Sequence, residues 1–263
     1  MKLDLNDKKA LITGASAGIG FAVAHAFARE GCRLHIVSRS ADRLSCARRA
    51  LCESGATEVE TQSLDLSQPE SSDALFAACP DADIVVNNAG SVSPGSIEDL
   101  PERTWRESFD LKVFAYIAIA RTYYMRMKER AAGVIVNNIG NAGEIHDPQY
   151  IAGATANSAL MAFTRVLGGT SLEHGVRVLG VNPGPVATER LVGFAKRRAS
   201  NKWGDPSRWP DIYASFPHGA PATAEDIANL IVFLASDRAR YISGAVVTVD
   251  GGLAYRGSVM PNI

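Results

Sequence analysis

The stretch Thr13-Gly14-Ala15-Ser16-Ala17-Gly18-Ile19-Gly20 is the strongest chemical signal in the chain. Glycines at this spacing, between a β-rich run and a helical pattern, let backbone N–H groups close on a pyrophosphate. The helix N-terminus adds partial positive charge. Tight packing of strand against helix is the plainer use of the same glycines. The next β-rich run ends in Ile36-Val37-Ser38-Arg39-Ser40. A site that prefers NAD places an acidic residue there for the ribose 2′-hydroxyl. Ser38 and Arg39 suit a 2′-phosphate instead, by charge, forked geometry and an added hydroxyl, so NADP is expected over NAD. A solvated arginine at a strand end is the alternative. His146, within Glu144-Ile145-His146-Asp147, is a candidate proton donor or merely an exposed loop histidine. Cys32, Cys46, Cys52 and Cys79 form no Cys-x-x-Cys pair and no zinc spacing with histidine, so no metal is expected.

These groups need elements to hold them. Near-continuous apolar runs, as in parallel strands covered on both faces, predict strands at Lys9–Thr13, Arg33–Ser38, Val59–Leu64, Asp83–Asn87, Val134–Asn138, Arg177–Val181 and Ala245–Val249. Helical periodicity fills Ile19–Glu30, Asp42–Glu53, Glu70–Ala78, Thr104–Glu129, Ala154–Glu173 and Ala224–Ala235. Gly31, Gly55 and Gly175 suit the left-handed position after a helix, and Thr223 with Asp226 suits a helix start. Strand–helix alternation along all 263 residues implies one doubly wound α/β sheet of the Rossmann type, in a single dinucleotide-binding domain. The 27 Lys+Arg against 28 Asp+Glu leave a net charge of −1, which argues against a nucleic-acid-binding surface. With 46% apolar and 21% charged residues the chain is not disordered. The start lacks a signal-peptide core, and the longest apolar run, Val113 to Ala120, is too short to span a bilayer. A cytoplasmic location with reduced thiols is expected.

The glycine turn, Asp65-Leu66, Asn87-Asn88-Ala89-Gly90, Asn182-Pro183-Gly184 through Thr188, and the closing Val249-Asp250-Gly251-Gly252 occur in one order across residues 5–253. In these pieces the chain resembles the short-chain dehydrogenase/reductase family. The resemblance implies seven mainly parallel strands in the order 3-2-1-4-5-6-7 and a bound nicotinamide dinucleotide. It assigns Gly14, Ser16, Gly18, Ile19 and Gly20 to the pyrophosphate turn, Asp65 and Leu66 to the adenine, and Asn88, Ala89 and Gly90 to the cofactor channel. Pro183, Gly184, Val186 and Thr188 would hold the carboxamide end of the nicotinamide.

The family's chemistry rests on Asn, Ser, Tyr and Lys, and at the matching positions this chain has Lys112, Gly140, Gly153 and Asn157. Losing a positioned acid/base group slows hydride transfer by about 10²–10⁴ without forbidding it. Tyr150 lies three residues before Gly153 and seven before Asn157, so an early helix start stacks all of them on one face. Gly153 would then leave room for the Tyr150 ring, and Lys112 returns a cation from another helix. Tyr150 and Lys112 are therefore candidates for a displaced catalytic acid/base pair. Alternatively Tyr150 is a loop aromatic and Lys112 the partner of Asp110 or a buried acid. Asn157 can bond ribose hydroxyls but brings no charge, while Asn138 and Asn141 can orient a carbonyl.

Residues 191–220 sit where the family carries a substrate lid. They hold Lys196, Arg197, Arg198, Lys202 and Arg208 against Asp205 and Asp211, with Trp203, Trp209, Tyr213 and Phe216. An anionic or acyl-linked small-molecule substrate is one reading; a solvated basic helix face is the other. The resemblance also implies a homo-oligomer, tetramer or dimer, through the helices Thr104–Glu129 and Ala154–Glu173 and the last strand. The expected function is NADP(H)-dependent oxidation or reduction of an alcohol or carbonyl with a non-standard site. A catalytically silent NADP-binding protein, as sensor or structural subunit, is the alternative.

Overall fold

The computed structural model describes residues 2–256. Strands β1 (Lys9–Thr13), β2 (Arg33–Ser38), β3 (Val59–Ser63), β4 (Ile84–Asn87), β5 (Gly133–Asn138), β6 (Val176–Pro183) and β7 (Val246–Val249) form one sheet. Its order is β3-β2-β1-β4-β5-β6-β7, and every neighbouring pair is parallel. The reversal between β1 and β4 opens a crevice beyond the carboxyl ends of the strands, where ligands of such sheets bind.

Alternate residues of the central strands feed two apolar layers, as a side-chain period of two requires. Ala10, Ile12, Ile84, Val86, Val134 and Val136 pack against helices α1 (Gly18–Arg29), α2 (Ala41–Glu53) and α8 (Ala224–Ala235). Leu11, Val85 and Ile135 pack on the other face against α3 (Ser71–Ala78) and α5 (Ala115–Glu129). Gly31, Gly55 and Gly175 take positive φ after their helices, and Thr223 and Asp226 close a reciprocal capping box on α8.

The long helix expected over Thr104–Glu129 is interrupted. It comprises α4 (Glu102–Phe109), a π-helical turn at Asp110–Phe114 and then α5. The wider turn buries Lys112 and Val113 while Asp110 and Phe114 stay exposed. Helix α6 (Ile151–Ser171) begins earlier than its periodicity suggests, with Tyr150 at its N-cap position. The segment after β6 is ordered as α7 (Glu189–Trp203), followed by 3₁₀ turns at Pro206–Tyr213. No helix among the described residues is long and apolar enough to cross a membrane.

Candidate active site

The phosphate turn owes its shape to its glycines. Gly14 has φ +67°, and a Cβ there would lie 2.9 Å from Ala89 Cα. A Cβ on Gly20 would meet Asn88 Nδ2 at 2.5 Å and the Gly14 carbonyl closer still. Asn88 Nδ2 donates to the Thr13 carbonyl at 2.9 Å, and Thr13 Oγ1 accepts from the Asn88 and Ala89 N–H groups. Strands β1 and β4 are thus tied where the crevice opens. Helix α1 starts behind Ala17 with no side-chain cap and no acidic residue in its first turn, so its first N–H groups remain open to an anion.

At the end of β2 the Ser16 and Ser38 hydroxyls lie 2.9 Å apart beside the exposed Arg39. Two hydroxyls and a guanidinium fit a phosphate monoester. Asp65 accepts from the N–H and Oγ of Ser67, which hold its carboxyl below the usual carboxylate range. The Leu66 side chain is buried at 4% exposure in the apolar layer and its carbonyl accepts Ser71 Oγ. The Val186 side chain is likewise core, its segment clasped to Ala222 by backbone bonds. Thr188 caps α7 through Leu191 N, and its methyl would lie 3.3 Å from a Cβ on Gly18, so α7 starts against the phosphate turn. Pro183 ends β6, and a Cβ on Gly184 would strike Asp250.

Lys112, Gly140, Gly153 and Asn157 stand where the sequence resemblance sets the family's catalytic residues. Gly140 has φ +133°, and a Cβ there would lie 2.8 Å from Nδ2 of the buried Asn157, so a side chain is excluded on two counts. At Gly153 the space above the helix is taken by Tyr150: a Cβ would lie 2.6 Å from Cδ1 and closer still to Cε1 and Cζ. The ring therefore rests on the Gly153 backbone, where a side chain from that position would begin. Tyr150, Gly153 and Asn157 share this end of α6. Asn141 is turned away to Asp250, and Asn138 donates to Asn88 Oδ1 at 2.8 Å. His146 is exposed.

Lys112 comes to the same floor from the π-helical turn. Its Nζ donates to the Asn138 carbonyl at 3.1 Å, the Ile139 carbonyl at 2.9 Å and Tyr116 Oη at 3.2 Å. The expectation of Asp110 or a buried acid as its partner is not met: its partners are carbonyls and a phenol. Those acceptors use all the N–H donors of an ammonium, so Lys112 has none left to give Tyr150 directly. Burial lowers its pKa to about 7. Tyr116 escaped the sequence reading because it lies within an apolar run; its position one turn after Lys112 was the available signal.

In the segment after Thr188, Lys202 and Arg208 lie over the Trp203 ring at 4.7 and 4.4 Å, and Arg208 pairs with Asp211. Tyr213 is buried between Trp209 and Phe216. Lys196, Arg197 and Arg198 are exposed.

Residues 14–254 match the family model described as enoyl-(acyl carrier protein) reductase. The chain is 30% identical to an uncharacterised oxidoreductase, YvrD, of Bacillus subtilis, covering 96% of this chain and 98% of that one. It is 33% identical to the 2-keto-3-deoxy-L-fuconate dehydrogenase of Xanthomonas campestris, over 94% of this chain and 80% of that one. Among solved structures, L-sorbose reductase from Gluconobacter frateurii, complexed with NADPH and L-sorbose, superposes with a TM-score of 0.91 at 32% identity, covering 97% and 99% of the respective chains. Parallel sheet, glycine cradle and these likenesses agree: the chain belongs to the short-chain dehydrogenase/reductase family.

Proposed function

We propose that the protein is an NADP(H)-dependent oxidoreductase in which Tyr150, reaching across Gly153, exchanges the proton with the substrate oxygen. The observation that carries this reading is the Tyr150 ring lying on the Gly153 backbone, in the volume a side chain at that position would fill. The cradle fits a dinucleotide: glycines that admit no Cβ, an uncapped α1, and Ser16, Ser38 and Arg39 grouped for a 2′-phosphate. When bound, the nicotinamide supplies or accepts the hydride. The chain's own residues do the rest. The turn Asn88–Gly90 and the segment Pro183–Thr188 wall the crevice, and Tyr150 gives a proton to a carbonyl oxygen in reduction or takes it from the alcohol in oxidation. Asn157 covers Gly140 and offers an amide to ribose hydroxyls. Lys112 contributes charge from below rather than a direct contact with Tyr150.

The substrate class we infer is a polyhydroxylated ketone or its carboxylate. Two similar proteins, the reductase complexed with L-sorbose and the dehydrogenase of 2-keto-3-deoxy-L-fuconate, are named for such molecules. The cationic lid of Lys196, Arg197 and Arg198 favours the carboxylate form. The test is cofactor consumption with a panel of ketoses, keto sugar acids and acyl thioester carbonyls, each with NADPH and NADH. Turnover of a hydroxylated ketone, at least about tenfold faster with NADPH and falling about 10²-fold or more in Tyr150→Phe, supports the reading. Equal turnover in Tyr150→Phe removes it.

A further inference from the structure

Lys112 lies beneath the crevice with no carboxylate of the described residues against it. It is 7% exposed, and its stem runs along Gly90: a Cβ there would lie 2.7 Å from Cδ and 3.4 Å from Nζ. Gly90 ends the turn whose Asn88 is bonded to Asn138, so the ammonium sits under the junction of β4 and β5. The charged groups on the surrounding elements point elsewhere. On α4, Arg103 pairs with Glu107 and Arg106 with Glu102, all exposed, as is Asp110 at the head of the π turn. On α6, Arg165 is exposed; after β5, Glu144 accepts from Asn182 and Thr248. Tyr116 is the titratable group in contact, and burial keeps it protonated.

The hydrogen bonds of this cluster accommodate both forms of Lys112. As an ammonium it donates to the Asn138 and Ile139 carbonyls and to Tyr116 Oη, while Tyr116 donates to the Asn138 carbonyl at 2.9 Å. As an amine it keeps both carbonyls and accepts the Tyr116 O–H on its lone pair. Neither form strands a buried donor, so the site is built for a lysine that changes charge.

Resting on the reading that this crevice takes NADP(H), we propose that Lys112 makes the site distinguish the reduced from the oxidised cofactor and hands control of that distinction to pH. The two cofactors share their phosphates, riboses and adenine, and differ by the positive charge of the oxidised ring. An ammonium under the Asn88–Gly90 turn, lacking a counter-ion, opposes that charge and leaves the reduced form unaffected; the amine opposes neither. With the lysine titrating at about 7, the preference for NADPH is strong below neutrality and weak above it.

The experiment is a calorimetric titration of the full chain with NADPH and with NADP⁺ at about pH 6 and about pH 8.5. The expected ratio of Kd for NADP⁺ to Kd for NADPH is on the order of tenfold larger at the lower pH, as a repulsion that moves the lysine's titration by about one pH unit requires. In Lys112→Met the ratio no longer changes with pH. NADP⁺ binding near pH 7 also releases a fraction of a proton that NADPH binding does not, read from buffers of different ionisation heat. This arm and the pH series need only the wild-type protein, so they decide the matter even if Lys112→Met fails to fold. Binding of both cofactors with a pH-independent ratio overturns the role of Lys112. Binding of neither overturns the proposed function instead.

Discussion

Gly153→Ala separates the proposed chemistry from stability because the two effects have opposite sign. The Cβ added there would lie 2.6 Å from Cδ1 of Tyr150 and closer to Cε1 and Cζ, and those are its nearest neighbours. Restoring ordinary van der Waals separation of roughly 3.5–4 Å moves the ring by at least about 1 Å. Within a helix, replacing glycine by alanine normally stabilises by about 0.5–1 kcal/mol, which offsets part of the packing lost when the ring moves. The net change in unfolding free energy is thus expected within about 1 kcal/mol of zero. A misplacement of about 1 Å in a reacting group costs on the order of 10²-fold in rate, or about 2.7 kcal/mol of transition-state stabilisation. Thermal melts, NADPH titration and steady-state kinetics of Gly153→Ala should therefore show an intact fold, unchanged cofactor affinity and kcat/KM down about 10²-fold. Wild-type kcat/KM in a variant that melts normally would refute the reasoning.

Further outcomes are expected at other positions. Arg39→Asp should weaken NADPH by about 10- to 100-fold and improve NADH if the proposed charge-assisted bond to a 2′-phosphate forms; equal effects on both cofactors would contradict the assignment. Gly140→Ser should destabilise by about 1–3 kcal/mol and leave activity unrestored, because φ is +133° and the Asn157 amide fills the space. Stability should peak near pH ~9. Lys112 drops from 10.5 to about 7 on folding, so the unfolded chain holds the extra proton between those values and stability climbs by up to about 1.4 kcal/mol per pH unit. Burial raises Cys32 and Cys79 from 9.0 to about 12, so above that lower value stability declines again. Denaturant melts of Lys112→Met should lack the climb from pH ~7 to ~9 and keep the decline. Exposed Phe114, Met125, Val166 and Leu172, on α5 and α6 or at their ends, are expected to be covered by another copy of the chain. A monomeric mass in solution would contradict that.

The sheet was legible in the sequence because its strands, the polar edge strand β3 excepted, are rich in apolar residues, and because the glycine turn falls between the first strand and first helix. Val59–Ser63 and Val176–Pro183 moved only at their ends. The break at Asp110–Phe114 was not legible: a π turn inserts a residue without any glycine or proline to mark it, and the apolar period runs on across it. That hidden insertion is what carries Lys112 into the floor of the crevice and on to the Asn138 and Ile139 carbonyls. The spacing of Tyr150, Gly153 and Asn157 did forecast a ring over Gly153, since it depends only on helix geometry and a missing Cβ. The partners of Lys112 depend on how β5 and the π turn meet, which local sequence does not encode. Leu66 and Val186 show the same limit, for nothing in their motifs reveals that their side chains serve the core.

The most direct test of a proton delivered by Tyr150 is a structure with NADPH and a non-reacting substrate analogue bound. The account predicts Tyr150 Oη within hydrogen-bond reach of the oxygen on the carbon facing nicotinamide C4, with the ring still resting on Gly153. A Tyr150 hydroxyl beyond reach of that oxygen, even through one bridging water, would contradict it.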